Sequence, residues 1–266
     1  MSATFVFHRQ LKRALSLWLV CAATSGITTA ATQSDKEQTL TRASQAYYNL
    51  KQSGLIEFRA NVKPNWPLLT GAQSSPETLK VLEGIRFSMW IDPQSRFWLD
   101  HETDLLPASD KSSEYYDKIF KDMDAAVSRF ISTWSVFLLT SPFPRSGSDY
   151  QLTQVGEQYQ FSNREGAHSV LTIADSDFKI NEIRVTGEGF KASLKPRLEK
   201  TPKGFILSGY ASSYQTNSRT TRVEARLEYQ EVNGLQLLSK VNMNTVYEGK
   251  PAQIEWLFAD YRVKVR

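Results

Sequence analysis

Apolar and polar residues alternate almost without interruption through the second half of the chain, from Tyr150 to Val265. A period of two predicts β-strands that bury one face of a sheet. Short turn sequences separate the runs, and Asn233-Gly234 between two of them is typical of a two-residue hairpin. Strands joined by turns this short run antiparallel to their neighbours, so this half of the chain predicts a meander of long strands.

The first half of the chain predicts a short helix and three further strands. Apolar residues recur at helical spacing over residues 40–50, and Gly54 follows where a left-handed C-terminal cap is expected. Residues 70–78 are polar and contain proline, which predicts a loop. Alternation predicts strands over residues 56–62, 85–91 and 96–100.

A long amphipathic helix is predicted over residues 113–139, because apolar residues recur there at three- and four-residue steps. Its last turns, from Trp134, are apolar on nearly all sides, and Pro142 and Pro144 end it. A meander of about eleven strands twists and curls. We therefore expect a mainly β (α+β) fold: a strongly curved antiparallel half-barrel with an N-terminal helix and the long helix on its concave face.

The N-terminal residues have the composition of a secretory signal peptide. Arg9, Lys12 and Arg13 precede an apolar run over residues 14–23, and small residues follow to Ala31. A run of about ten apolar residues is too short to cross a bilayer as a helix. We therefore expect residues 1–31 to be removed, residues 32–266 to form a single periplasmic domain, and no stable transmembrane anchor.

The charge balance argues against a nucleic-acid partner. Of the 32 lysines and arginines three lie in the predicted signal peptide, and none of the 28 acidic residues do, which leaves 29 against 28, a net charge of +1. Nucleic-acid binding requires a basic stripe. The single cysteine, Cys21, lies in the same segment, so we expect no disulfide and no cysteine metal site in the mature chain.

No catalytic motif of the Gly-x-Ser-x-Gly, His-Glu-x-x-His or phosphate-loop type occurs in the sequence. His101 lies among the acidic residues 100–104, where it is either a metal ligand or general base, or part of a solvated turn. The turn is favoured, because further ligands at metal-binding spacing are missing. We expect a protein that is not an enzyme and needs no metal or cofactor.

Two stretches resemble the LolA/LolB-like periplasmic lipoprotein carriers, the outer-membrane lipoprotein-sorting proteins. One is the N-terminal helix leading into residues 54–60 and their proline-rich end. The other is the C-terminal hairpin, residues 233–241 and 254–263, whose last strand is similar to the F-x-F-x-D-Y-R/K-V ending frequent in that family, through Phe258-Ala259-Asp260-Tyr261-Arg262-Val263. The resemblance covers about half of the mature chain. It implies a half-barrel that captures an acyl chain or a lipidated protein, with a possible envelope protein as partner.

We predict that the concave face and the long helix together form an apolar cavity for an acyl chain. The side chains predicted to line it are Phe58, Phe87, Met89, Trp98, Met123, Val127, Phe130, Trp134 and Phe137. The alternative is that the helix plugs the sheet and all these residues are core, since buried aromatic residues usually are. In that case the protein is a non-catalytic interaction module of the envelope.

Overall fold

A computed structural model describes residues 33–70, 75–102, 110–216 and 219–266, with side chains from residue 114 in the third range. The predicted signal peptide lies outside the described residues. The helices are α1 (Gln33–Gln45), α2 (Trp66–Thr70), α3 (Pro76–Glu83) and α4 (Asp110–Leu138). The strands are β1 (Leu55–Pro64), β2 (Arg86–Ile91), β3 (Phe97–Glu102), β4 (Tyr150–Val155), β5 (Gln158–Glu165), β6 (His168–Ala174), β7 (Ile180–Gly187), β8 (Phe190–Thr201), β9 (Gly204–Thr216), β10 (Arg219–Val232), β11 (Leu235–Tyr247) and β12 (Lys250–Val265).

All the strands belong to one antiparallel sheet, in the order β3-β2-β1-β12-β11-β10-β9-β8-β7-β6-β5-β4. The last strand therefore pairs with the first, and the chain returns to its start by a continuous meander from β4. Strands β3 and β4 form the two edges and do not pair with each other, so the sheet is curved but not closed. The mainly β, antiparallel architecture predicted from the alternation is confirmed.

The structure has twelve strands where about eleven were expected. The two edge strands, β3 and β4, are only six residues long, and each pairs along its length with one neighbour.

Helix α1 ends at Gln45, earlier than the helical spacing predicted. The reason lies in the next residues, which pair with the sheet: the Phe205 N–H donates to the Ala46 carbonyl at 2.8 Å, and the Tyr48 N–H donates to the Phe205 carbonyl at 2.9 Å. A backbone engaged in this way cannot continue an α-helix. Gly54, with a φ of 98°, instead closes the turn that leads into β1.

Helix α3 begins within the stretch predicted as a loop. The Ser75 hydroxyl accepts a hydrogen bond from the Thr78 N–H at 3.1 Å, and Pro76 occupies the first turn, where its missing N–H costs nothing. Gly84 ends the helix. The prediction was wrong here because serine and proline are typical both of loops and of helix starts.

Helix α4 lies across one face of the sheet, which we call the inner face, and contacts β3 and β9. Its 29 residues span about 43 Å at 1.5 Å per residue. Residues 139–149 then connect its C-terminal end to the edge strand β4.

The segment after α1 is tied to both halves of the sheet. The Tyr47 hydroxyl donates to the Phe178 carbonyl at 3.0 Å and accepts from the Ile180 N–H at 2.9 Å, which fixes it to the β6–β7 turn. The Lys51 ammonium donates to the carbonyls of Ile56 and Pro93, on the other side of the sheet. Within the described residues, no helix is both long and apolar enough to span a bilayer.

Candidate functional site

Eight of the nine residues predicted to line a cavity lie together between α4 and the inner face. Phe58 of β1 meets Trp134 of α4 with ring centroids 6.4 Å apart, and Phe130 of α4 meets Trp256 of β12 at 5.8 Å. Their side chains are all buried and belong to one core cluster. The eight residues are Phe58, Phe87, Met89, Met123, Val127, Phe130, Trp134 and Phe137.

The structure places the ninth residue, Trp98, on the opposite face of the sheet, which we call the outer face. In β3 the side chains of Phe97 and Leu99 lie against the core, whereas Trp98 is 41% exposed. Its neighbours of the same parity, Arg96 and Asp100, are exposed as well. Charged residues two positions before and two positions after Trp98 form a sequence pattern from which its place on the outer face could have been predicted.

Tyrosines from three strands reach towards α4; Tyr210 is buried, and Tyr229 and Tyr261 are partly buried. Burial raises the pKa of the Tyr210, Tyr229 and Tyr261 hydroxyls. Tyr229 donates to the Leu207 carbonyl at 2.6 Å and Tyr261 donates to the Leu238 carbonyl at 2.8 Å, so both hydroxyls stay neutral hydrogen-bond donors. They add a few satisfied polar groups to an otherwise apolar interface.

The two ends of α4 are held by different forces. Its C-terminal end is hydrogen-bonded: the Leu50 N–H donates to the Leu138 carbonyl at 2.8 Å, and the Asn49 amide donates to the carbonyl of the adjoining Thr140 at 2.8 Å. Its N-terminal part is held by ring packing, since Phe120 stacks on His101 at 3.8 Å and meets Phe87 at 6.2 Å. No hydrogen bond from residues 114–130 to the sheet occurs in the described part of the chain.

Trp256 contributes a buried donor under the middle of α4. Its side chain is fully buried, and its indole N–H has no hydrogen-bond acceptor among the described residues. An unpaired buried donor costs about 1–3 kcal/mol. This buried donor could not be predicted from the sequence, because Trp256 lies in a strand with apolar residues at both parities.

Four side chains form a continuous row across the outer face, and we call it the Trp–Arg row. Trp98 lies opposite Trp90, Trp90 opposite Arg59, and Arg59 opposite Arg262, so the row crosses β3, β2, β1 and β12. The two indole rings lie 5.1 Å apart between centroids. Trp90 is 45% exposed, and both arginines are exposed.

The turn between β2 and β3 fixes one end of this row. The Asp92 carboxylate accepts from the Arg96 backbone N–H at 2.8 Å and from the Arg96 guanidinium at 2.7 Å. Burial would raise the pKa of Asp92, but the hydrogen bonds from Arg96 outweigh it and lower that pKa. The same guanidinium lies 5.2 Å from the centre of the Trp98 ring, a cation–π distance that restrains the indole.

Two open depressions flank the centre of the row. One, of about 350 Å³, is lined by both arginines and Trp90 together with Glu57, Phe58, Val263 and Lys264. The other, of about 460 Å³, lies between the two tryptophans and includes Arg59, Ser88, Leu99 and Asp100. Both combine aromatic walls with charged groups. Trp90 was not among the site residues predicted from the sequence. It alternates in phase with the polar residues Arg86 and Ser88 of β2, and this pattern could have assigned it to the outer face.

Each of the two histidines of the described chain packs against a phenylalanine ring. His101 lies on β3 with its ring stacked on Phe120, and His168 packs near Phe190 with ring centroids 5.7 Å apart. No group of three His, Cys, Asp or Glu side chains positioned for a metal ion occurs in the residues that the structure describes.

Comparison of the chain with protein-family models, with curated proteins and with solved structures finds no match in any of the three. The two faces of the sheet are therefore the features from which a function can be inferred.

Proposed function

We propose that the protein is a non-catalytic, periplasmic carrier or sensor that holds the acyl chain of a lipid or lipoprotein between α4 and the inner face. The observation that carries this proposal is the asymmetry of α4. Its C-terminal end is fixed by hydrogen bonds, whereas its N-terminal part rests on apolar and aromatic contacts. Apolar contacts are non-directional, so an acyl chain can replace them when this part of the helix moves away.

The interface offers enough apolar surface for such a ligand. Burial of an acyl chain contributes about 0.8 kcal/mol per methylene, so ten buried groups contribute about 8 kcal/mol. This corresponds to a Kd of about 1 µM before the cost of opening the helix is subtracted. A carrier that must release its cargo needs binding in this moderate range.

The buried indole of Trp256 supports a ligand with a carbonyl group. An ester or amide carbonyl beneath α4 would accept the indole N–H that otherwise lacks a partner. Trp256→Phe keeps an aromatic ring against Phe130 and removes the donor. We expect this variant to bind acyl esters several-fold more weakly without a loss of folding stability.

A cross-link between α4 and β3 tests whether α4 acts as a lid, that is, whether its N-terminal part must move away from the sheet to admit a ligand. His101→Cys and Phe120→Cys replace two rings in contact, and a short bismaleimide can join them in a chain that also carries Cys21→Ser. We expect cross-linking to weaken palmitate binding by about tenfold or more, measured by equilibrium dialysis. The control is the same variant alkylated with a monofunctional maleimide.

Equal palmitate binding before and after cross-linking would reject α4 as a lid. Failure of every form, including the unmodified chain, to bind palmitate or a lipopeptide would reject the carrier itself.

The second candidate is a non-catalytic interaction module of the envelope in which α4 plugs the sheet permanently. The observation that favours it is the dense burial of the eight predicted cavity residues, which leaves the exposed Trp–Arg row as the more accessible surface. Absence of bound lipid together with core-like losses of about 3–5 kcal/mol for Phe130→Ala would support this candidate.

A further inference from the structure

The Trp–Arg row crosses four neighbouring strands on the outer face of the sheet. Three gaps between neighbouring strands, at about 4.8 Å each, give it a length of about 14 Å. Its four side chains project from the same face of four successive strands, because each is directly opposite the next in register. The row therefore presents two indoles at one end and two guanidinium groups at the other.

Arg59 and Arg262 place two positive charges directly opposite each other. Like charges opposite each other on neighbouring strands repel. No ion pair is described for either residue, and the nearby carboxylate of Glu57 lies 3.9 Å from the ammonium of Lys264 instead. An anion placed over the two arginines would relieve their repulsion, so this end of the row is complementary to negative charge.

Trp90 and Trp98 give the other end of the row an exposed aromatic surface. Both rings remain more than two-fifths exposed although they pair with each other. Indoles are enriched at the boundary between lipid headgroups and acyl chains, where an apolar ring and a polar N–H are both accommodated. Leu257, on β12 of the same sheet, is 44% exposed as well.

The shape of the surface favours an extended anionic layer over a single soluble anion. The two depressions beside Trp90 are open, and the arginine side chains that line them are exposed, so no enclosed cradle surrounds one ion. The two exposed guanidinium groups lie on an open surface that a bilayer can approach. We propose that the Trp–Arg row docks the protein on an anionic phospholipid bilayer, with the arginines at the headgroup phosphates and the indoles in the interface.

This docking does not depend on the acyl-chain site, because it uses the opposite face of the sheet. It is tested by co-sedimentation of the purified chain with vesicles of phosphatidylglycerol and phosphatidylethanolamine, compared with vesicles of phosphatidylcholine. All variants share one N-terminus, so a contribution of the basic and apolar residues 9–23 is common to them. Circular dichroism and thermal unfolding verify that each variant is folded.

Two double variants examine the two halves of the row. We expect Arg59→Gln/Arg262→Gln and Trp90→Ala/Trp98→Ala each to weaken binding to the anionic vesicles by about tenfold or more. The matched control is Arg222→Gln/Arg226→Gln, which removes the same charge from exposed positions of β10, two strands from β12 and in register with residues 251–255, at least seven residues along β12 from Arg262. The control is expected to change binding by less than about twofold, as general charge effects are screened by salt.

Three results would overturn the proposal. They are equal binding to the anionic and the phosphatidylcholine vesicles, equal losses in the row variants and the β10 control, and displacement from vesicles by millimolar glycerol phosphate, which would indicate a site for a soluble anion. Quenching of tryptophan emission by brominated lipid, lost in Trp90→Ala/Trp98→Ala, is the result expected if the indoles enter the bilayer.

Discussion

At Gly204 the backbone passes the end of α1 with no room for a side chain. The residue has a φ of 113°, which L-residues rarely adopt, and a Cβ atom there would lie 2.8 Å from the carbonyl oxygen of Ala46 and from the backbone of Tyr47 and Tyr48. The close approach is what allows Phe205 to hydrogen-bond with Ala46 and Tyr48. Strain and steric overlap therefore coincide at this single position.

We predict that Gly204→Ala lowers the free energy of unfolding by about 3 kcal/mol, measured by urea denaturation. Gly234→Ala is the matched control, because Gly234 also has a positive φ, of 76°, but a Cβ there meets nothing within 4 Å. This control is expected to cost about 1 kcal/mol, from backbone strain alone. Equal losses in the two variants would mean that the contact with residues 46–48 does not constrain the fold.

The buried tyrosines predict that the protein loses stability in alkali. Burial raises the pKa of Tyr47, Tyr210, Tyr229 and Tyr261 above the ordinary value of 10.0. Above pH 10 the unfolded chain releases these protons while the folded chain retains them, so stability is fully present below pH 10 and falls as the pH rises further. Each such tyrosine contributes up to about 1.4 kcal/mol per pH unit.

Urea midpoints measured between pH 8 and 11.5, with tyrosinate absorbance recorded in parallel, test this dependence. Appearance of the full tyrosinate signal near pH 10 in a protein that is still folded would contradict it, because it would place these hydroxyls in water.

At the scale of elements, α4 is held by hydrogen bonds at its C-terminal end and by side-chain packing towards its N-terminal end. Phe137, near the C-terminal end, lies 6.3 Å from the Tyr47 ring, and the Leu138 carbonyl is hydrogen-bonded. Phe120, near the N-terminal end, stacks on the exposed edge strand β3. Local opening is cheapest where a segment has few hydrogen bonds to the remainder of the fold. The helix should therefore open from its N-terminal end.

We predict that amides of residues 114–124 exchange with solvent deuterium faster than those of residues 130–138, measured by hydrogen-exchange mass spectrometry. Phe120→Ala should accelerate the exchange of the first segment and cost less stability than Phe137→Ala, for which about 3–5 kcal/mol is expected. Uniform protection along α4, or equal losses in both variants, would indicate a rigid plug.

The sequence predicted the elements better than the faces on which their residues lie. Strand and helix periodicity placed α4, β1 and the C-terminal meander correctly, since these segments are long and strongly patterned. The prediction of Trp98 as a cavity residue was wrong: its parity is that of the exposed residues Arg96 and Asp100, and it lies on the outer face. The Trp–Arg row depends on the pairing of β1 with β12, which no local pattern reveals.

At the scale of the whole molecule, β12 joins the two halves of the sheet. On one side it pairs with β1, which carries β2 and β3, and on the other side with β11 at the end of the meander. Trp256 and Phe258 of β12 are buried in the core beneath α4. Loss of this strand would both divide the sheet and open the core.

We predict that a chain ending at Gly249 shows no cooperative thermal unfolding and precipitates on expression, because β1 and β11 are left with unpaired edges. A chain ending at Val263 is the control, as it keeps Trp256, Phe258 and most of the pairing with β1. Cooperative unfolding of the shorter chain would show that β1–β3 and the meander are separately stable.

The pairing of β1 with β12 also has a consequence for biosynthesis. A chain that emerges from its N-terminus produces β1 first and must wait for the final 16-residue strand before β1 gains its second neighbour. Throughout synthesis, α4 and the first three strands expose apolar surface that the missing strand will cover. The sheet is thus completed only after β12 has emerged, and a chain stalled before that point is expected to aggregate.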